Sequence, residues 1–159
     1  MKKNSYLDVI SRGKHQEIMD LIEDTHFCEN DEIALIKRGR HEEIMAYIKH
    51  YGTLYPNSEL ALIERGEQKE IEAAILDSGF LCDASEIKVI ELGDHKTIDL
   101  MIKTAEFLSD KGEVALIKRG HHDEIMAYIE KSLQFLSDKA MEALINRGNK
   151  EEIEAAGLH

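Results

Sequence analysis

Residues 113–129 read Glu-Val-Ala-Leu-Ile-Lys-Arg-Gly-His-His-Asp-Glu-Ile-Met-Ala-Tyr-Ile: two short apolar runs on either side of a glycine. Variants of this stretch recur around Gly13, Gly39, Gly66, Gly93, Gly120 and Gly148, at spacings of 26, 27, 27, 27 and 28 residues. A near-constant period of this size marks a chain built from stacked structural repeats.

Three residues before each glycine stands Ile (Ile10, Ile36, Ile63, Ile90, Ile117, Ile145), and four before it Leu or Val. Five residues after it Ile returns (Ile18, Ile44, Ile71, Ile98, Ile125, Ile153), followed at the eighth and ninth places by mostly apolar residues. These intervals follow the i, i+3, i+4 rule of an amphipathic helix. Each copy therefore reads as helix A, tight turn, helix B, with the glycine in the left-handed position just past helix A. Asp31, Ser58 and Ser85 are expected to cap helix A. Glu32, Glu59, Glu86 and Glu113, and the pairs Glu42-Glu43, Asp123-Glu124 and Glu151-Glu152, are expected to face the positive ends of helix dipoles. A helix A of about two turns is too short to stand alone, so stability has to come from contacts between repeats.

Arg precedes the glycine in five copies (Arg12, Arg38, Arg65, Arg119, Arg147). Glu lies four after it in the same five (Glu17, Glu43, Glu70, Glu124, Glu152), and the fourth copy has Leu92 and Thr97, losing both. The joint loss predicts an Arg–Glu pair across the turn or to the next repeat.

The repeats span about 5–30, 31–57, 58–84, 85–111, 112–139 and 140–159, within one domain of 159 residues. Copy two matches copy five, and copy three resembles copy six, so residues 5–84 and 85–159 read as two similar halves. The Phe-Leu pairs that end repeats four and five, Phe107-Leu108 and Phe135-Leu136, are expected to tuck their loops against the stack.

The start of the chain has Lys2 and Lys3 but no apolar stretch behind them, so no secretory signal is expected. No run approaches the roughly 20 apolar residues of a membrane span. Cys28 and Cys82 lie far apart without metal spacing, and reduced thiols in a cytoplasmic protein are expected.

His15, His41, His95 and His122 recur two after the glycine. Stacked repeats set them in a column, which a transition metal or a pH change could address. Neighbouring repeats about 10 Å apart are too widely spaced for one ion to bridge. A structural role is therefore the leading expectation, and no cofactor is expected. Phosphate loops and nucleophile or zinc-hydrolase motifs are absent, and the carboxylates recur with the repeat, so the chain is not expected to be an enzyme. The formal net charge of −12 disfavours direct nucleic-acid binding.

The run 34–52, Ala-Leu-Ile-Lys-Arg-Gly-Arg-His-Glu-Glu-Ile-Met-Ala-Tyr-Ile-Lys-His-Tyr-Gly, resembles the two-helix part of an ankyrin repeat. There, too, a glycine separates two short helices and a His and an acidic residue open the second. The period departs from the ankyrin value of about 33, and the Thr-Pro-Leu-His opening is absent. HEAT-like repeats are similar in their paired helices but longer. The resemblance implies a partner-binding scaffold and carries over no functional residue.

The sequence thus predicts an all-α, right-handed α-solenoid of six short helix-turn-helix repeats, expected to be a monomer that binds a protein partner. The positions that vary between copies are the candidate contacts: Lys37, Glu64, Glu91 and Lys118 two before the glycine, and Met45, Glu72, Asp99 and Met126 six after it. The alternatives are an acidic mimic of nucleic acid that inhibits a nucleic-acid-binding protein and, more weakly, a His-based metal or pH sensor.

Overall fold

The computed structural model describes residues 6–132 and 135–158. The basic start, Lys2 and Lys3, lies outside them. Among the described residues the chain forms twelve α-helices and no strand. They are α1 (Leu7–Arg12), α2 (His15–Asp24), α3 (Glu29–Arg38), α4 (His41–Tyr51), α5 (Pro56–Arg65), α6 (Gln68–Ser78), α7 (Asp83–Leu92), α8 (His95–Thr104), α9 (Asp110–Arg119), α10 (His122–Ser132), α11 (Asp138–Arg147) and α12 (Lys150–Ala155). Odd-numbered helices run up to the glycine and even-numbered helices follow it. They are helices A and B of six hairpins, and the fold is an all-α solenoid of such hairpins. None of them is long and apolar enough to cross a membrane.

The chain divides into two compact units, Met1–Gly79 and Phe80–His159, a few residues before the boundary read from the sequence. In the first unit, α1, α3 and α5 stack as one layer and α2, α4 and α6 as the other. In the second unit, α7, α9 and α11 stack as one layer and α8, α10 and α12 as the other. Within each hairpin the two helices also touch. The recurring Ile and Leu supply the contact: Leu35, Ile44, Leu62, Ile63, Ile98, Leu116 and Ile125 are all buried. Val9 and Ile145, on the first and last A helices, are exposed instead.

Helix A is ten residues long in α3, α5, α7, α9 and α11, about a turn longer than its apolar run suggests. The caps assigned from the sequence are therefore displaced. Cys28, Tyr55 and Cys82 precede α3, α5 and α7 and make no side-chain cap. Asp31, Ser58 and Ser85 sit three residues later, buried. Ser109 and Ser137 do cap α9 and α11. A glutamate of the preceding repeat accepts the amide of the residue before α5, α9 and α11: Glu32 from Tyr55, Glu86 from Ser109 and Glu113 from Ser137.

Gly39, Gly66, Gly93, Gly120 and Gly148 are left-handed, with φ between 73° and 81°. Gly13 is extended (φ −64°, ψ 157°), so the first copy departs from the expected turn.

Candidate functional site

Four of the junctions between successive hairpins carry the same constellation around a buried glutamate. Arg119 Nε donates to Glu124 Oε2 at 2.9 Å, across the turn. Arg119 Nη2 donates to the Gly93 carbonyl of the preceding repeat at 2.9 Å. His95 Nδ1 of that preceding repeat lies 2.8 Å from Glu124 Oε1. Arg38 and Glu43 join Gly13 and His15 at 2.8 to 2.9 Å. Arg65 and Glu70 join Gly39 and His41 at 2.9 to 3.1 Å. Arg147 and Glu152 join Gly120 and His122 at 2.8 to 3.0 Å.

The physical logic is complementary need. The glycine carbonyl ends a helix and lacks an intrahelical partner. The glutamate side chains are 0% exposed and would be untenable without donors. One arginine answers both, and the histidine of the preceding repeat fills the second carboxylate oxygen. The glycine also makes room: a Cβ on Gly39, Gly93 or Gly120 would lie 2.7, 2.7 or 2.5 Å from the next arginine's Nη1.

The Arg–Glu pair predicted from the joint loss is present, and the arginine spans both places considered, its own turn and the neighbouring repeat. The first copy differs: Glu17 Oε2 accepts from the Lys14 amide at 2.8 Å, and no ion pair joins Arg12 to Glu17 among the described residues. In the fourth copy Asp94 caps α8 through the Thr97 amide and hydroxyl.

A second row of carboxylates, read from the sequence as dipole partners, is likewise buried. Glu32 accepts from the Tyr47 hydroxyl and the Tyr55 amide, both at 2.9 Å. Glu113 accepts from the Tyr128 hydroxyl at 2.8 Å and the Ser137 amide at 3.0 Å. Glu86 accepts from the Ser109 amide at 3.0 Å and its hydroxyl at 2.6 Å. Each reaches forward to the residue that opens the next helix A. The small residues Ser58, Gly112 and Ala140 follow three positions on, and at Gly112 a Cβ would collide with Glu86. Burial pushes the Glu32 carboxyl above its usual range, and burial together with the adjacent carboxylate pushes the Tyr47 and Tyr128 hydroxyls well up.

The histidine column is thus spoken for at the ring nitrogen Nδ1 in each of its four members. Among the described residues no group of three or more His, Cys, Asp and Glu side chains is arranged to hold a metal ion. The hydrogen bond to Glu124 raises His95 above the ordinary histidine value, and that to Glu152 does the same for His122.

The candidate contact residues fall on two different layers. Lys37, Glu64, Glu91 and Lys118 are exposed on helices A, while Met45, Glu72, Asp99 and Met126 are half-buried on helices B. Lys118 and Asn146, both at the variable place two before the glycine, line one shallow groove between α9 and α11, with Val114, Lys139 and Glu142.

The Phe-Leu pairs behave differently from expectation. Leu108 is buried and Leu136 packs against the core, but Phe107 and Phe135 are exposed, with ring centroids 5.2 Å apart. Phe80, in the same register three residues before the start of its helix, is exposed as well. A signal was available: the first two copies carry the polar His26 and Thr53 at this place.

No family model matches the chain, and neither a curated protein nor a solved structure matches it significantly.

Proposed function

We propose that this chain is a non-enzymatic protein-interaction scaffold that binds a partner protein on its repeat surfaces. One observation carries the reading: the recurring glutamates are buried, and the residues that vary two before the glycine face solvent. The recurring Glu43, Glu70, Glu124 and Glu152 are consumed in repeat-to-repeat hydrogen bonds. The varying Ser11, Lys37, Glu64, Glu91, Lys118 and Asn146 are all exposed. A scaffold of regular bonds carrying an irregular surface is how stacked-repeat proteins bind different partners.

The burial pattern also weighs against the acidic-mimic alternative. Nine of the acidic residues are buried: Asp31, Glu32, Glu43, Glu59, Glu70, Glu86, Glu113, Glu124 and Glu152. The recurring carboxylates are therefore not available to form a phosphate-like rail.

The test is affinity capture by the tagged full chain at low and moderate salt, run beside a Lys37→Glu/Lys118→Glu variant. A protein retained at moderate salt and weakened by the variant supports the scaffold reading. Recovery of nucleic-acid-binding proteins alone, lost as salt rises, would instead favour the mimic.

A further inference from the structure

We propose that the loop edge of the second unit, marked by Phe80, Phe107 and Phe135, docks a basic, apolar segment of the partner protein; this rests on the scaffold reading above. The three side chains are 67%, 44% and 66% exposed. They occupy one register, three residues before the first residue of α7, α9 and α11. The residue after each turns inward, so the loop is anchored while the ring stays in water. Large apolar groups gathered along one edge mark interaction sites, and rigid aromatic rings are favoured anchors there. In the first unit the same register holds His26 and Thr53. The aromatic edge is therefore not a requirement of the repeat.

Charge selects the occupant. Three residues after each ring an exposed aspartate opens the helix: Asp83, Asp110 and Asp138. Helix starts favour acids generally, yet α5 opens with Pro56, so the acid is not obligatory. Glu106, just past the end of α8, and Glu130, in the last turn of α10, are exposed at the same end of the hairpins as the loops. Two nearby lysines are engaged. Lys103 pairs with Asp99 at 2.5 Å, and the Lys131 ammonium donates to the carbonyls of Ile102, Lys103 and Ala105. The carbonyls are neutral, so Lys131 keeps its charge, and Lys111, Lys131 and Lys139 stand against the five carboxylates Asp83, Asp110, Asp138, Glu106 and Glu130. A second copy of this edge would set aspartate against aspartate. A segment with Lys or Arg beside bulky apolar side chains matches both features, its cations meeting the carboxylates and the ring faces.

The probe is a display library of random 16-residue peptides selected on the full chain. Binders are re-measured on Phe107→Ser/Phe135→Ser and, separately, on Asp110→Lys/Asp138→Lys, with thermal melts to confirm folding. The expected binders combine Lys or Arg with large apolar residues, lose at least tenfold in affinity on the first variant, and weaken severalfold on the second and at raised salt. Binders indifferent to both variants, or acidic or neutral binders, overturn the proposal. So does concentration-dependent self-association abolished by the phenylalanine variant, which would make a second copy the occupant. The capture experiment separates the two readings. A protein that survives Phe107→Ser/Phe135→Ser overturns this edge and leaves the scaffold standing, whereas failure to capture any protein removes the scaffold itself.

Discussion

His95 Nδ1 and Glu124 Oε1 stand 2.8 Å apart, although 29 residues and a full repeat separate them in the chain. The contact is between repeats, so its strength measures how firmly one hairpin holds the next. It also makes the histidine charge a stability variable.

The pH dependence follows from the direction of the shift. His95 and His122 are raised above 6.5 in the fold by their hydrogen bonds to Glu124 and Glu152. A raised folded value stabilises fully below the unfolded value and is lost as pH rises through the folded one. Urea midpoints are therefore expected to fall between pH 6 and pH 8. The fall should shrink in a His95→Gln/His122→Gln variant, and an unchanged slope would refute the linkage.

Arg119 and Glu124 are expected to be strongly coupled. Removing Arg119 leaves a fully buried carboxylate without its cation, at a cost of about 3–5 kcal/mol. A double-mutant cycle with Arg119→Met and Glu124→Gln should return a coupling of about 1–3 kcal/mol. A value near zero in chemical denaturation would mean that the two side chains serve their own helix ends independently.

The glycines should not be equal. Gly148→Ala places a Cβ in open space at φ +73°, so it bears only backbone strain of about 1–2 kcal/mol. Gly120→Ala bears the same strain and also pushes a Cβ to 2.5 Å from Arg147 Nη1, disturbing the bond from Arg147 to the Gly120 carbonyl. Thermal melts should rank Gly120→Ala below Gly148→Ala, and the reverse order would show that the latch yields freely.

Tyr47 and Tyr128 should resist ionisation. Burial first, and the neighbouring carboxylates Glu32 and Glu113 next, disfavour their phenolates. Alkaline absorbance titration should show both silent until the chain unfolds. Tyr128→Phe removes a donor to Glu113 and the acceptor of the Leu108 amide, and should cost about 1–3 kcal/mol in denaturant. An equal effect is expected for Tyr47→Phe, since the same bonds recur there with the same spacings of 20 and 15 residues.

The repeat, its hairpins and most of its core were legible in the sequence. A period near 27 residues and apolar places at fixed distances from a glycine are one-dimensional facts, and they determine where helices form and which faces pair. The Arg–Glu pair was legible too, because its joint loss in the fourth copy left a mark. The roles of Glu32 and Glu113 were not. An acid in a first helical turn reads the same whether water or a tyrosine hydroxyl from the partner helix sits beside it. Phe107 and Leu108 were equally indistinguishable as neighbours, and only the loop's path put one ring in water and its neighbour in the core.

The sequence by itself determined an all-α chain of six glycine-centred hairpins, because helix periodicity and turn chemistry are local. The tertiary structure decided which carboxylates are internal, which histidine meets which glutamate, and which rings are left on the surface. Those outcomes depend on distances between repeats some 20 to 30 residues apart in the chain, and burial then turned ordinary helix-start acids into the hydrogen-bond acceptors that join one hairpin to the next.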